Sequence, residues 1–155
     1  MFGSPRSGAN AYATVGVETD VASASPHKLI VMLFDGALMS ILLAQQFMKA
    51  GNIPAKGKSI SKAIMIIDSG LRASLDKKVG GAIAESLDAL YEYMSNRLLI
   101  ANLKNQPELL QEVHDLLMEL KTAWDAIGEQ VATAPAPVAK AAADLSTYSP
   151  KLMKA

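Results

Sequence analysis

The sequence predicts an all-α fold: an antiparallel up-and-down four-helix bundle with an N-terminal arm and a mobile C-terminal tail. Leu, Ile, Ala and Met are abundant while aromatic residues make up only 5% of the chain, a composition that favours helix over strand. Apolar residues recur at spacings of three and four through four long segments, the signature of amphipathic helices. Gly51-Asn52, Gly80-Gly81 and Pro107 punctuate these segments, and connections this short make sequential helices antiparallel neighbours. A chain of 155 residues, half of them apolar, is long enough for one domain to bury its own core without metal or disulfide.

Residues 1–24 read as the arm. Gly, Pro and Ser precede a short alternating stretch, Tyr12, Thr14, Val15 and Val17, too brief for a sheet of its own. The bundle takes residues 25–131. Ser25 and Pro26 read as N-cap and first residue of helix one, although Lys28 leaves no capping box and slightly opposes the helix dipole. Ile30, Phe34, Ala37, Ile41, Ala44 and Met48 form its stripe over about 26–50, and Gly51-Asn52 stops it. Pro54 opens helix two, whose stripe is Ile60, Ile64, Ile67, Leu71 and Leu75; Asp76 closes it, with Lys77 and Lys78 beside its negative end.

After the Gly80-Gly81 break, helix three carries Ile83, Leu87, Leu90, Met94, Leu98 and Ala101 on one stripe. Pro107, followed by Glu108 and Glu112, opens helix four, with stripe Leu109, Val113, Leu116, Leu120, Ala123 and Ile127 and with Leu110, Leu117 and Trp124 flanking it. Residues 132–155 form the Ala- and Pro-rich tail, without a sustained stripe beyond a short helix around Val138 to Leu145.

Helices two and three are apolar on more faces than one four-helix core can bury. Ala63, Met65, Ile66 and Ala73 point away from the stripe of helix two, and Tyr91, Leu99, Ile100 and Leu103 lie largely off that of helix three. Large exposed apolar patches are rare in monomers, so this surplus calls for a partner. The arm, with Tyr12, Val15 and Val17, is one candidate cover.

Catalytic and cofactor chemistry find no support. Fifteen basic residues balance fifteen acidic ones, so no global field draws nucleic acid or an anionic membrane. The absence of cysteine removes disulfides, thiolate metal sites and cysteine nucleophiles, and fits a reducing compartment. No apolar signal region opens the chain, and the apolar run Leu29 to Ala44, interrupted by Asp35, Gly36 and Ser40, is shorter than the roughly 20 residues that cross a bilayer. A cytoplasmic protein without catalytic residues, metal or cofactor is expected. His27 and His114 read as solvated: neither has a ligating partner at i, i+4, and Asp115 to Met118 lack the lysine and small residue of a phosphotransfer histidine. Gly80-Gly81 lacks the Gly-Lys-Ser/Thr of a phosphate loop. Asp35-Gly36 inside helix one is read as a close helix approach, since glycine there is about 1 kcal/mol worse than alanine.

Ordered motifs over about residues 10–130 resemble the FliS family of flagellin-specific secretion chaperones. They are Tyr12-Ala-Thr-Val-Gly-Val-Glu-Thr, Ser25-Pro-His-Lys-Leu-Ile-Val-Met-Leu-Phe-Asp-Gly-Ala-Leu, Lys62-Ala-Ile-Met-Ile-Ile-Asp, Leu75-Asp76 with Gly80-Gly81, Leu90-Tyr-Glu-Tyr-Met, Arg97-Leu-Leu with Ala101-Asn102, and Ala123-Trp124. The resemblance implies a cytoplasmic helical bundle that binds the C-terminal segment of flagellin, prevents its premature polymerisation and delivers it to the flagellar export gate, with other flagellar assembly or regulatory proteins as further partners. It also implies a client surface chiefly on helices two and three: Ile60, Ala63, Ile64, Ile67 and Leu71 with Leu87, Leu90, Tyr91, Met94 and Leu98, and Tyr12 on the arm. Periodicity alone does not divide these between core and client contact. The alternative is a bundle that buries its surplus stripes in a homodimer.

Overall fold

The structure is a computed structural model, and it describes residues 24–133, with side chains through residue 128. Tyr12, the rest of the arm and the tail lie outside the described residues.

Helix α1 spans Pro26–Ala50. Ser25 caps it by accepting a hydrogen bond from the Lys28 amide at 3.1 Å, and Gly51, in the left-handed region at φ 73°, ends it. Asn52 then caps α2, its side chain accepting from the Ala55 amide at 3.2 Å. Stop and start therefore share two adjacent residues. Helix α2 runs Ile53–Met65 and continues as a π-helical segment, Ile66–Arg72, where the backbone hydrogen bonds widen to i→i+5.

The chain breaks at 73–76, and Asp76 belongs to the next helix rather than to α2. Its carboxylate accepts from the amides of Lys78 and Val79, both at 3.1 Å, capping α3, Lys77–Lys104. Lys77 and Lys78 thus lie in the first turn of α3, not beyond the end of α2. Gly81 sits at φ 51°, ψ −128°, a conformation available essentially to glycine alone, so the expected break falls inside the first turns of α3. Asn105, left-handed at φ 50°, closes α3, and α4 runs Pro107–Thr133.

The four helices form a ring. α1 packs against α2 and α4, and α3 completes it against α2 and α4. The core joins Phe34, Leu38 and Ile41 of α1, Ile60, Ile67 and Leu71 of α2 and its π segment, Tyr91, Met94 and Leu98 of α3, and Leu110, Val113 and Leu117 of α4. Gly36 lies beside Ile66, the close approach expected there. By length and composition α1 could cross a membrane; in this fold its stripe lies in the middle of the core.

Two stripes sit at a different phase from the sequence reading. In α3 the core edge is Tyr91 and Ala84, with Ile83, Leu87 and Leu90 only partly buried; in α4, Leu110 and Leu117 are core while Ala123 is exposed. An excess of apolar residues makes several phases equally good by pattern, and packing chooses among them.

The histidines are not simply solvated. The His27 ring stacks on Trp124 with centroids 5.0 Å apart and planes 6° off parallel, while the Trp124 indole N–H donates to the His27 carbonyl at 3.1 Å. Half-buried His114 has a covered Nδ1 without a hydrogen bond, 3.7 Å from the Asp115 carboxylate. At the other end of the bundle Lys56 is buried, its Nζ donating to the Asn102 carbonyl at 2.9 Å and to the Asn105 side chain. That cation meets the last turn of α3, where the helix dipole favours it.

Because a Cβ on Gly128 would lie 1.9 Å from His27 Nε2, Gly128→Ala should break the His27–Trp124 stack. The expected loss is about 1 to 3 kcal/mol, typical of overpacking, read by urea melts. His27→Ala in the same chain should remove most of that penalty; additive losses would show that the stack does not set the spacing of α1 and α4.

Candidate functional site

Two hydrogen bonds set the register of α2 against α3. Ser95 donates to Asp68 at 2.9 Å, and Lys56 reaches the Asn102 carbonyl one end further along. Between them, one turn beyond Ser95, Leu99 lies level with Ile64 and Met65, and Leu103 follows a turn later opposite Lys58 and Ser61. Met65, Leu99 and Leu103 are 56%, 49% and 74% exposed. Ile64 is half-buried and packs against the core beneath them. The result is an apolar strip along the outer groove of α2 and α3.

An ionic cluster closes one end of this groove. Arg72, the last residue of the π segment, donates to Asp88 of α3 at 2.6 Å and lies 3.5 Å from Glu92 and 3.8 Å from Asp68; Lys77 adds a second contact to Asp88 at 3.3 Å. The hydrogen bond from Arg72 is the main cause holding the Asp88 carboxyl below its ordinary range, and it raises the guanidinium in turn. Across the bundle, Tyr93 and then Arg97 hydrogen-bond Glu112 of α4 and lower its pKa, while Arg97 lies 5.6 Å over the Tyr93 ring.

The structure separates the residues implied as client surface. Ile60, Ala63, Ile67, Leu71, Tyr91, Met94 and Leu98 are each no more than 4% exposed and belong to the core. Burial pushes the Tyr91 phenol up to about 12. Ile64, Leu87 and Leu90 are partly buried at its edge; Leu90, seven residues before Arg97, shares the α4 side of α3. The exposed residues Met65, Leu99 and Leu103 stand in the off-stripe sets, so the surplus itself is the signal that finds the groove.

The described residues thus form a four-helix bundle with an apolar groove along α2 and α3. A profile of the family described as flagellar protein FliS matches residues 8–131, and the chain belongs to that family. It is 52% identical over 121 residues to the flagellar secretion chaperone FliS of Salmonella typhimurium, covering 78% of this chain and 90% of that protein. The namesake of Escherichia coli is 47% identical over 76% of this chain and 86% of its own length, and that of Vibrio cholerae 43% over 79% and 89%.

Core and groove positions should respond differently. Leu98→Ala should lower stability by about 2 to 5 kcal/mol, whereas Leu99→Asp and Leu103→Asp should stay within about 0.5 kcal/mol of the parent in urea melts.

Asp88 and Glu112 also set an acid limb. Folded-state pKa values below the unfolded ones mean stability that is full above the unfolded carboxylate range, about pH 4, and lost as pH falls through the lower folded values. Melting temperature measured between pH 6 and 3 should drop more gently in Asp88→Asn/Glu112→Gln than in the parent. Equal slopes would remove these pairs from the acid limb.

Proposed function

We propose that this protein is a cytoplasmic export chaperone that binds the C-terminal segment of flagellin in the α2–α3 groove, keeps it from polymerising prematurely and hands it to the flagellar export apparatus. The observation that carries the reading is the strip Met65, Leu99 and Leu103, left in solvent beside half-buried Ile64 by a bundle whose core is already filled. Membership of the FliS family, whose relatives are named flagellar secretion chaperones, supports it. The role is one of binding and not of catalysis.

Recognition is of the helix-in-groove kind, with the client folding as it binds. Ordering a disordered client costs roughly 2 to 5 kcal/mol or more, which a few Leu or Ile anchors at about 1.5 to 3 kcal/mol each offset. Long side chains such as Met65 adapt to an imperfectly matched helix.

Titration calorimetry with a flagellin C-terminal peptide tests the reading. Leu99→Asp and Leu103→Asp should abolish binding without moving the melting temperature. Native mass spectrometry of the free protein distinguishes the alternative: a dimer that the peptide leaves intact would favour self-association, and unimpaired peptide binding by both variants would place the client elsewhere.

A further inference from the structure

The charged residues around the α2–α3 groove are sorted by sign. Lys58, seven residues before Met65, stands in the same outward column of α2, and Lys62 is exposed one turn further on. No carboxylate occurs in the chain between Asp35 and Asp68 or between Glu92 and Glu108, so neither α2 itself nor the last three turns of α3 offsets these lysines. The other end of the groove is the reverse. Glu85 and Glu92 continue the column of Leu99 at intervals of seven residues, both exposed, while Arg72 there is already held by Asp88 at 2.6 Å. With Asp68 and Asp88, the carboxylates at this end outnumber Arg72, Lys77 and Lys78 by four to three. Arg72 lies 3.5 Å from Glu92, and Lys58 precedes it on the same helix by nearly four turns, which separates the two ends by about 20 Å at the helical rise. The whole chain carries no net charge, so this difference in sign is local to the groove.

We propose that this charge order selects and orients the partner: the groove takes an amphipathic helix whose apolar stripe lies between a carboxylate and a cation about 13 residues apart, with the carboxylate at Lys58 and Lys62 and the cation at Glu85 and Glu92. The inference rests on the helix-in-groove reading above and adds to it which way round the helix lies. Met65, Leu99 and Leu103 supply affinity without direction, because apolar attraction is non-directional and the strip accepts a stripe from either end. The charges at the two ends break that symmetry. A helix docked the wrong way round sets cation against Lys58 and carboxylate against Glu92, and like charges brought together suppress wrong pairings. The dipole of the bound helix adds only about half a charge at each end, so the full side-chain charges decide the orientation.

The test uses the full-length protein, isotopically labelled at its amides, and synthetic helical peptides that share one leucine stripe. One peptide carries two glutamates at one end and two lysines at the other, about 13 residues away; a second has glutamine at all four positions. Calorimetry at low salt should show the charged peptide binding about tenfold more tightly, the scale that a few exposed ion pairs supply. That advantage should vanish in about 1 M salt, where the screening length falls to roughly 3 Å. A nitroxide on the glutamate end should weaken the amide signals of residues 57–62, and one on the lysine end those of residues 85–92. Combining Lys58→Glu and Lys62→Glu with Glu85→Lys and Glu92→Lys, all at exposed positions, should exchange the two patterns. Equal affinities for the two peptides, the opposite orientation on the parent protein, an orientation unchanged in the reversed variant, or no binding by either peptide would overturn the proposal. So would shifts of the groove amides on dilution of the free protein, which would assign the groove to a second copy. A flagellin C-terminal peptide that fails to bind where the charged peptide binds would sink the flagellin reading alone, and the converse would sink this inference alone.

Discussion

The narrowness of the core governs the rest of this molecule. Ala37 and Ala44 of α1, Ala63 of α2, and Ala84 and Ala101 of α3 all occupy core positions with almost no exposure, and small side chains let helix axes approach closely. A core drawn in this way fills with one stripe per helix. Apolar residues immediately beside the stripes then have no space to enter, and remain on the outside as Met65, Leu99 and Leu103 on one side and Met39, Leu42 and Met118 on the other. The exposed faces are thus a product of the packing and not a failure of it.

What keeps such a bundle in one register is polar. Lys56 fastens the start of α2 to the end of α3, Arg72 fastens the end of the π segment to Asp88, and the Trp124 indole fastens α4 to the first turn of α1. The first two bracket the α2–α3 groove. A groove held at both ends by specific hydrogen bonds presents its apolar strip already arranged.

Much of this was legible in the residues, and the limits have identifiable causes. Caps are local chemistry, so Ser25, Gly51-Asn52 and Pro107 mark helix boundaries that the structure shares. Asp76 is ambiguous by the same logic: followed by two lysines, it suits the end of one helix as well as the start of another, and only its hydrogen bonds to Lys78 and Val79 decide. The phases of α3 and α4 depend on which apolar face meets its neighbours, a tertiary choice absent from periodicity. For this reason the stripe residues of α2 and α3, from Ile60 to Leu98, carry the helical signal yet lie mostly in the core, while the off-stripe set lines the groove. The stacking of His27 on Trp124 joins residues 97 positions apart, and no local pattern announces it.

The π segment Ile66–Arg72 gives this helix an unusual tolerance of chain length. A π turn holds more residues than an α turn, and each residue advances an α-helix by about 100°. Over this stretch the wider turns take up about one residue more than an α-helix would. Removing one residue here would let the stretch relax to an α-helix with Ile60 and Ala63 still nearly in phase with Leu71 and Arg72. Removing one from the α-helical part of α2 would instead turn the positions upstream by roughly 100° relative to Leu71 and the ion pairs of Arg72. A change of residue number is therefore better absorbed in these seven positions than in the turns before them.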